Sequence, residues 1–285
     1  MTIRHELLES LRSRLADRPT PRVEQVIRPP AGSAERVSPF TVVVLDSGAA
    51  GLCYNLLKDD PGREAYDRLD LGRLVGRDAL ALAADLLHPD LVHRLLGYAA
   101  CSALSQSLFA AGEPAVDSTT DLLDLMQPGP GDHVGVVGDA PPLVREVAAR
   151  VVGELRSRAE RSAQDVTARA GQVTVVQRGS RRKGADHVRF TEDPTSLAHC
   201  NKLLLTSTSL LDDSFEELDR ITAGASFRAL YGPGAGILPD AIFARGFHAV
   251  AGTLVLDGAA LARRQRDGEK WGDAKRKFVV TRGES

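Results

Sequence analysis

Four consecutive hydroxyl residues, Thr206-Ser207-Thr208-Ser209, leave the apolar run Leu203-Leu204-Leu205, and a second apolar run ends in Tyr231-Gly232-Pro233-Gly234-Ala235-Gly236. Short hydroxyl side chains offer donors and acceptors beside an accessible backbone, a chemistry suited to phosphate, carboxylate or a sugar hydroxyl. The glycines let a ligand approach the main chain, and Tyr231 offers a ring to a planar group. A Ser/Thr-rich cap for a helix near Ser214 and a flexible turn at Gly232 are the plainer readings of the same residues. A third run ends in Val137-Gly138-Asp139-Ala140-Pro141-Pro142. Its glycine spacing departs from G-x-G-x-x-G, with Pro141 where the third glycine would stand, so no pyrophosphate is expected there. Gly138 reads as a tight strand-to-helix turn or, with Asp139, as a ligand contact. The following strand ends in Arg178-Gly179 with no acidic ribose partner, which disfavours a conventional NAD oxidoreductase. No P-loop lysine motif is present.

Metal and nucleophile chemistry have thinner support. His199-Cys200 is the one adjacent pair of soft ligands, with Asp193 upstream, and there is no C-x-x-C or H-E-x-x-H. A Cys beside a buried strand more often serves as a small core hydrophobe. Ser207 and Ser209 lack a G-x-S-x-G elbow, and their only candidate bases are His199 and His248.

The elements that must position these residues fall into two patterns. Residues 5–17 carry a helical period in Leu7, Leu8, Leu11 and Leu15, predicting an amphipathic helix packed on a sheet. Strands are expected over 23–28, 40–45 and 51–57 as an antiparallel meander, then helices over 78–87 and 91–110 divided at His88-Pro89-Asp90. Strands followed by helices are the α+β signature, giving a first domain over 1–111 and a linker with a short helix over 112–131. From 132 to 285 apolar runs alternate with helices, which predicts a doubly wound parallel sheet. Asp213 with Glu216 matches a capping box, Pro239 suits a first turn and Gly246 a C′ position.

Composition bounds the function classes. The chain has 285 residues, 43% of them hydrophobic, enough for a full core, and a formal net charge of −2. No basic field favours nucleic acid or an anionic membrane, and the clusters at 178–183 and 270–277 read as solvated loops. No window approaches ~18 apolar residues, and the charged N-terminus lacks a signal-peptide core. Three scattered cysteines, Cys53, Cys101 and Cys200, fit reduced thiols. A cytoplasmic protein with no nucleic-acid or membrane partner is expected.

The succession Val134-Gly135-Val136-Val137-Gly138, Leu204-Leu205-Thr206-Ser207-Thr208-Ser209-Leu210-Leu211, Tyr231-Gly232-Pro233-Gly234 and Gly246 to Asp257 resembles the family labelled putative heavy-metal chelation. The resemblance covers residues 120–270 and, more thinly, Gly51-Leu52-Cys53-Tyr54-Asn55. It implies an enolase N-terminal-like α+β domain followed by a Rossmann-like α/β domain, a cleft between them and a homodimer. Carried over by position, the family's hydroxyl loop falls on Thr206 to Asp212, with Asp212 where the family has Asn, and its Gly-Pro-Ser loop falls on Gly232-Pro233-Gly234. The expected function is a small-molecule or metal-associated biosynthetic enzyme, the cleft lined by those loops with Tyr54 or Asn55 reaching in from the first domain. The alternative is a non-catalytic protein that binds a metabolite or a divalent metal ion for delivery or sensing.

Overall fold

Side-chain alternation builds the first sheet. In the computed structural model, which describes residues 1–29, 39–57, 61–138, 140–159, 171–179, 184 and 187–283, β1 (Val23–Ile27), β2 (Phe40–Leu45) and β3 (Ala50–Tyr54) pair antiparallel in the order β1-β2-β3. Every residue of β2 is buried, because both sheet faces are covered. Val43 and Leu45 enter the core beneath helix α4 (Leu91–Ala110), whereas Phe40, Val42 and Val44 meet Leu261 and Trp271 on the other face. Before this sheet lies α1 (Ile3–Leu15), and after it α2 (Pro61–Arg68) and α3 (Ala79–Ala83). Asp90 caps α4, its Oδ1 accepting from Val92 N at 2.8 Å. A Cβ on Gly51 would stand 2.1 Å from Ala103 N, so β3 lies directly on the α4 backbone.

The second sheet follows α5 (Leu122–Met126). Its strands are β4 (His133–Val137), β5 (Gln172–Val176), β6 (Val188–Thr191), β7 (Lys202–Thr206), β8 (Phe227–Tyr231), β9 (Ala249–Val255) and β10 (Lys275–Thr281), ordered β10-β9-β8-β7-β4-β5-β6. All neighbours are parallel except the β9–β10 pair. Between the strands run α6 (Pro141–Ala159), α7 (Phe215–Ile221), α8 (Asp240–Ala244) and α9 (Gly258–Asp267). The chain winds outward from β4 through β5 and β6, then returns to place β7 on the other side of β4. That reversal is a topological switch point. The expected pairing of an α+β meander unit with a Rossmann-like parallel sheet is the architecture observed.

Helix α4 is buried from Leu95 to Gln106 and joins the two sheets. Its polar residues Tyr98, Ser102, Ser105 and Gln106 repeat at helical spacing on the second sheet. Tyr98 Oη donates to Gly234 O at 2.9 Å, and Ser102 Oγ donates to Gly236 O at 3.0 Å while accepting from Leu52 N at 3.1 Å. Ser105 Oγ accepts from Leu238 N, and Gln106 donates to Thr253 O and accepts from Val255 N, both at 2.9 Å. Gln106 thus serves the edge of β9 beyond its last pairing with β8, where Tyr231 lies opposite Ala251.

Several expectations need correction. α1 packs on α8 and on the helical turn Ala84–Leu87, not on a sheet, since its leucines join the core between helices. Asp213 and Glu216 form no capping box: Asp213 has φ +64° and pairs with Arg94 at 2.8 Å and with Arg4, while Glu216 accepts from Ile3 N at 2.8 Å. The basic stretch near 270–277 runs into β10, an edge strand whose Arg276 and Lys277 face solvent and whose Phe278, Val279 and Val280 are buried. The 112–120 segment is tied to that edge by reciprocal backbone bonds between Asp117 and Val279. No helix among the described residues is long and apolar enough to cross a membrane.

Candidate functional site at the strand ends

The carboxyl ends of β4, β7 and β8 converge on one hydroxyl residue. Gly138 closes β4 at φ +107°, and a Cβ there would stand 3.0 Å from Thr206 Cβ. Gly232 closes β8 at φ +121°, and its Cβ would stand 4.0 Å from Thr206 Oγ1 and 3.4 Å from Ser207 Oγ. Both positions require glycine, one to let the switch-point strands approach and both for backbone sign. Thr206 Oγ1 accepts from Thr208 N at 3.5 Å and lies 3.2 Å from Thr208 Oγ1, capping the short turn Ser207–Leu210. The cap reading of the hydroxyl loop therefore holds at Thr206 and Thr208, both half-buried.

The other two hydroxyls turn inward. Ser209 Oγ donates to Thr206 O at 2.8 Å, and Ser207 hydrogen-bonds the buried Tyr98 phenol. Burial pushes that phenol well above its ordinary pKa, so Tyr98 is a donor and not a base. Gly234 is walled in: a Cβ there would meet Ser207 Oγ at 3.2 Å, Leu52 O at 3.7 Å and Tyr98 Cε1 at 3.8 Å. The seam between the halves is filled here, and Gly234 belongs to it. Pro233 is exposed on the rim. Tyr231 Oη donates to Val137 O at 3.1 Å, laying its side chain across the end of β7 toward β4.

Alternation along β3 separates Tyr54 from Asn55. Tyr54 points with Ala50 and Leu52 to the α9 face, where its ring meets Phe40 edge-on at 5.5 Å. Asn55 is buried; its Oδ1 accepts from Leu57 N at 2.9 Å, and its Nδ2 has no partner among the described residues. Gln177, just past β5, likewise holds Oε1 buried and unpartnered. Buried polar atoms without partners are rare and call for a water, an ion or a ligand. Arg178 follows at the same strand end, highly exposed, with Nη1 3.2 Å from Asp212. Asp139 lies outside the described residues, as does most of the basic stretch 178–183. Pro141 and Pro142 remove two donors from the first turn of α6, which weakens that terminus as an anion site.

His199 and Cys200 do not form a ligand pair. They leave the turn Pro194–His199 in opposite directions, His199 into solvent and Cys200 under Gly135, where Sγ is 3.1 Å from a Cβ position. Burial pushes the Cys200 thiol up to about 11, against a lowering bond to Thr174. Among the described residues the strand ends themselves present hydroxyls and backbone groups, a set unsuited to soft metals.

Family models described as putative heavy-metal chelation match residues 121–282 (DUF364) and 37–105 (DUF4213). The chain belongs to this family. Its description points to binding of a metal or a small ligand. Two solved members of the DUF364 family, both of unknown function, share the fold. The protein from Desulfitobacterium hafniense is 17% identical over 98% of this chain and 99% of its own, with a TM-score of 0.66. The protein from Pyrococcus horikoshii is 13% identical over 99% and 100%, with a TM-score of 0.69. No curated protein matches the chain. The polar stripe of α4 escaped the sequence reading, although Tyr98, Ser102, Ser105 and Gln106 stand out in a largely apolar helix at spacings of four, three and one.

Proposed function

We propose that this family member binds a small anionic metabolite at the switch-point crevice, in contact with Thr206, Thr208 and the Gly138 and Gly232 backbones. The observation that carries this reading is the convergence of three strand ends on Thr206 through two positive-φ glycines, at the place where an open parallel sheet accepts ligands. Arg178, exposed at the neighbouring strand end with Nη1 3.2 Å from Asp212, supplies the charge complement. Hydroxyls and backbone groups hold a ligand without titrating, so binding is the function these residues support. Turnover, the biosynthetic reading, needs an acid or base, and Asp139, next to Gly138 in sequence, is its candidate.

A thermal-shift screen of phosphorylated and carboxylated metabolites tests the proposal, because a ligand that binds only the native state raises the melting temperature by an amount that grows with its concentration relative to Kd. At least one anionic class should stabilise the protein, and Thr208→Val with Arg178→Gln should abolish the shift. Stabilisation that persists in the double variant, or is confined to neutral compounds, overturns it. If Asp139 is the acid or base, Asp139→Asn should abolish turnover and leave the shift.

A further inference from the structure

We propose a second, separate binding site for a divalent transition-metal ion, formed by His88, Asp90 and His93 at the start of α4. The ligand atoms of these three exposed residues lie within 4.8 Å of one another. Each arrives for a local reason. His88 ends the turn Ala84–Leu87 in extended backbone, and Pro89 holds the chain off helix until Asp90 caps α4. Asp90 Oδ1 accepts from Val92 N at 2.8 Å and from His93 N at 3.4 Å, leaving Oδ2 for a ligand. His93, three residues past the cap, folds back toward it as the third residue of a capping box does. Its ring stands 4.1 Å from the His88 ring, tilted by 32°. Behind His93, Asp85 Oδ2 is 4.0 Å from Nδ1, beyond hydrogen-bond length, and is held by Arg77 at 2.9 Å; a turn of the imidazole on metal binding would bring this carboxylate into reach to orient the ring.

Two imidazoles and one carboxylate select Zn²⁺, Ni²⁺, Co²⁺ or Cu²⁺ over the oxygen-seeking Ca²⁺ and Mg²⁺. Three protein ligands at the surface leave open positions for water or an incoming chelating group, which suits capture and release more than a closed structural site. Opposing charge is limited: the positive end of α4 disfavours a cation, and the Asp90 and Asp85 carboxylates offset it. His88 Nδ1 accepts from Asp90 N at 3.0 Å, so its ring must turn or release that bond to ligate. Along α4 the site lies about 10 Å from Tyr98, at 1.5 Å of rise per residue, so it is distinct from the strand-end crevice. The family model that covers residues 37–105 and describes heavy-metal chelation spans all three ligands.

Calorimetric titration of the full chain with Zn²⁺, and of its Co²⁺ form by visible absorption, decides the matter. The wild type should bind one ion, with visible Co²⁺ bands of nitrogen and oxygen ligation. His88→Ala and His93→Ala should each weaken binding by at least about tenfold, and Asp85→Asn by roughly tenfold through loss of orientation. Asp90→Asn keeps a good helix cap while removing the ligand charge, so it should lose affinity with an unchanged melting temperature. His199→Ala should bind as the wild type does. Equal affinity in a His88→Ala/His93→Ala double variant, or no Zn²⁺ binding below millimolar concentration in the folded wild type, overturns the site. Neither result touches the anion crevice, whose test uses no metal.

Discussion

At the residue scale, substitutions in the strand-end loops should separate seam from site. Thr208→Val removes a half-buried hydroxyl and nearly keeps its shape, so ligand affinity should fall by roughly ten- to a hundredfold, the loss expected for one hydrogen bond to a charged group of about 1.5–3 kcal/mol. Thermal denaturation should show little change. Gly234→Val should do the opposite, since Ser207, Leu52 and Tyr98 occupy the space around its Cβ; a destabilisation of about 1–3 kcal/mol is expected. Cys200→Ser tests the core reading of the thiol. Because Thr174 is within hydrogen-bond reach of that position, a hydroxyl finds a partner there and the cost should be only about 1 kcal/mol, measured by urea denaturation. The hydroxyl loop and both glycine turns were legible from composition at strand ends. The inward turn of Ser207 and Ser209 was not, because Ser207 turns to the Tyr98 phenol, more than a hundred residues away in sequence, and Ser209 to Thr206 O.

At the element scale, α4 was read to its ends from His88-Pro89-Asp90 and its apolar run, but its role as the joint between sheets follows only from contacts far apart in sequence. Gln106→Leu should leave Thr253 O and Val255 N without their partners, a loss of about 2–6 kcal/mol from two backbone groups at about 1–3 each, read from chemical denaturation. Tyr98→Phe leaves one backbone group, Gly234 O, without its donor and takes the phenol from Ser207; with a single backbone group orphaned it should cost less. β10 was hidden by its charges: Lys275, Arg276 and Lys277 suit an edge strand that must resist further pairing, and basic residues by themselves look like a loop. The Asp213–Glu216 spacing misled because Asp213 answers to Arg94 and Arg4, tertiary partners that outweigh a local cap.

At the scale of the whole molecule, the change from a meander to alternating strands and helices was legible as a change of pattern, while the interleaving of the two sheets' cores was not. α1 packs on α8, and buried Gln265 of α9 donates to Phe40 O at 2.7 Å while accepting from Trp271 Nε1, so each half completes the other's core. A single cooperative transition is expected in calorimetry, with residues 1–111 alone failing to fold; two separable transitions would show independent domains. Stability should also fall on acidification. Burial, with His199 and Arg189 nearby, lowers the His133 pKa, and burial with Arg282 and Arg228 lowers that of His248. The unfolded chain then binds protons more readily, so stability is full above about pH 6.5 and is lost as pH drops toward the lowered values. His133→Gln should flatten part of that slope. The central claim, an anionic ligand held at the switch point, meets its most direct test in native mass spectrometry of protein purified without chelator. The account predicts a small-molecule adduct on the wild type and on His88→Ala that is lost from folded Thr208→Val/Arg178→Gln. An adduct that survives in that double variant, or a wild type that carries none and takes up no anionic metabolite, contradicts it.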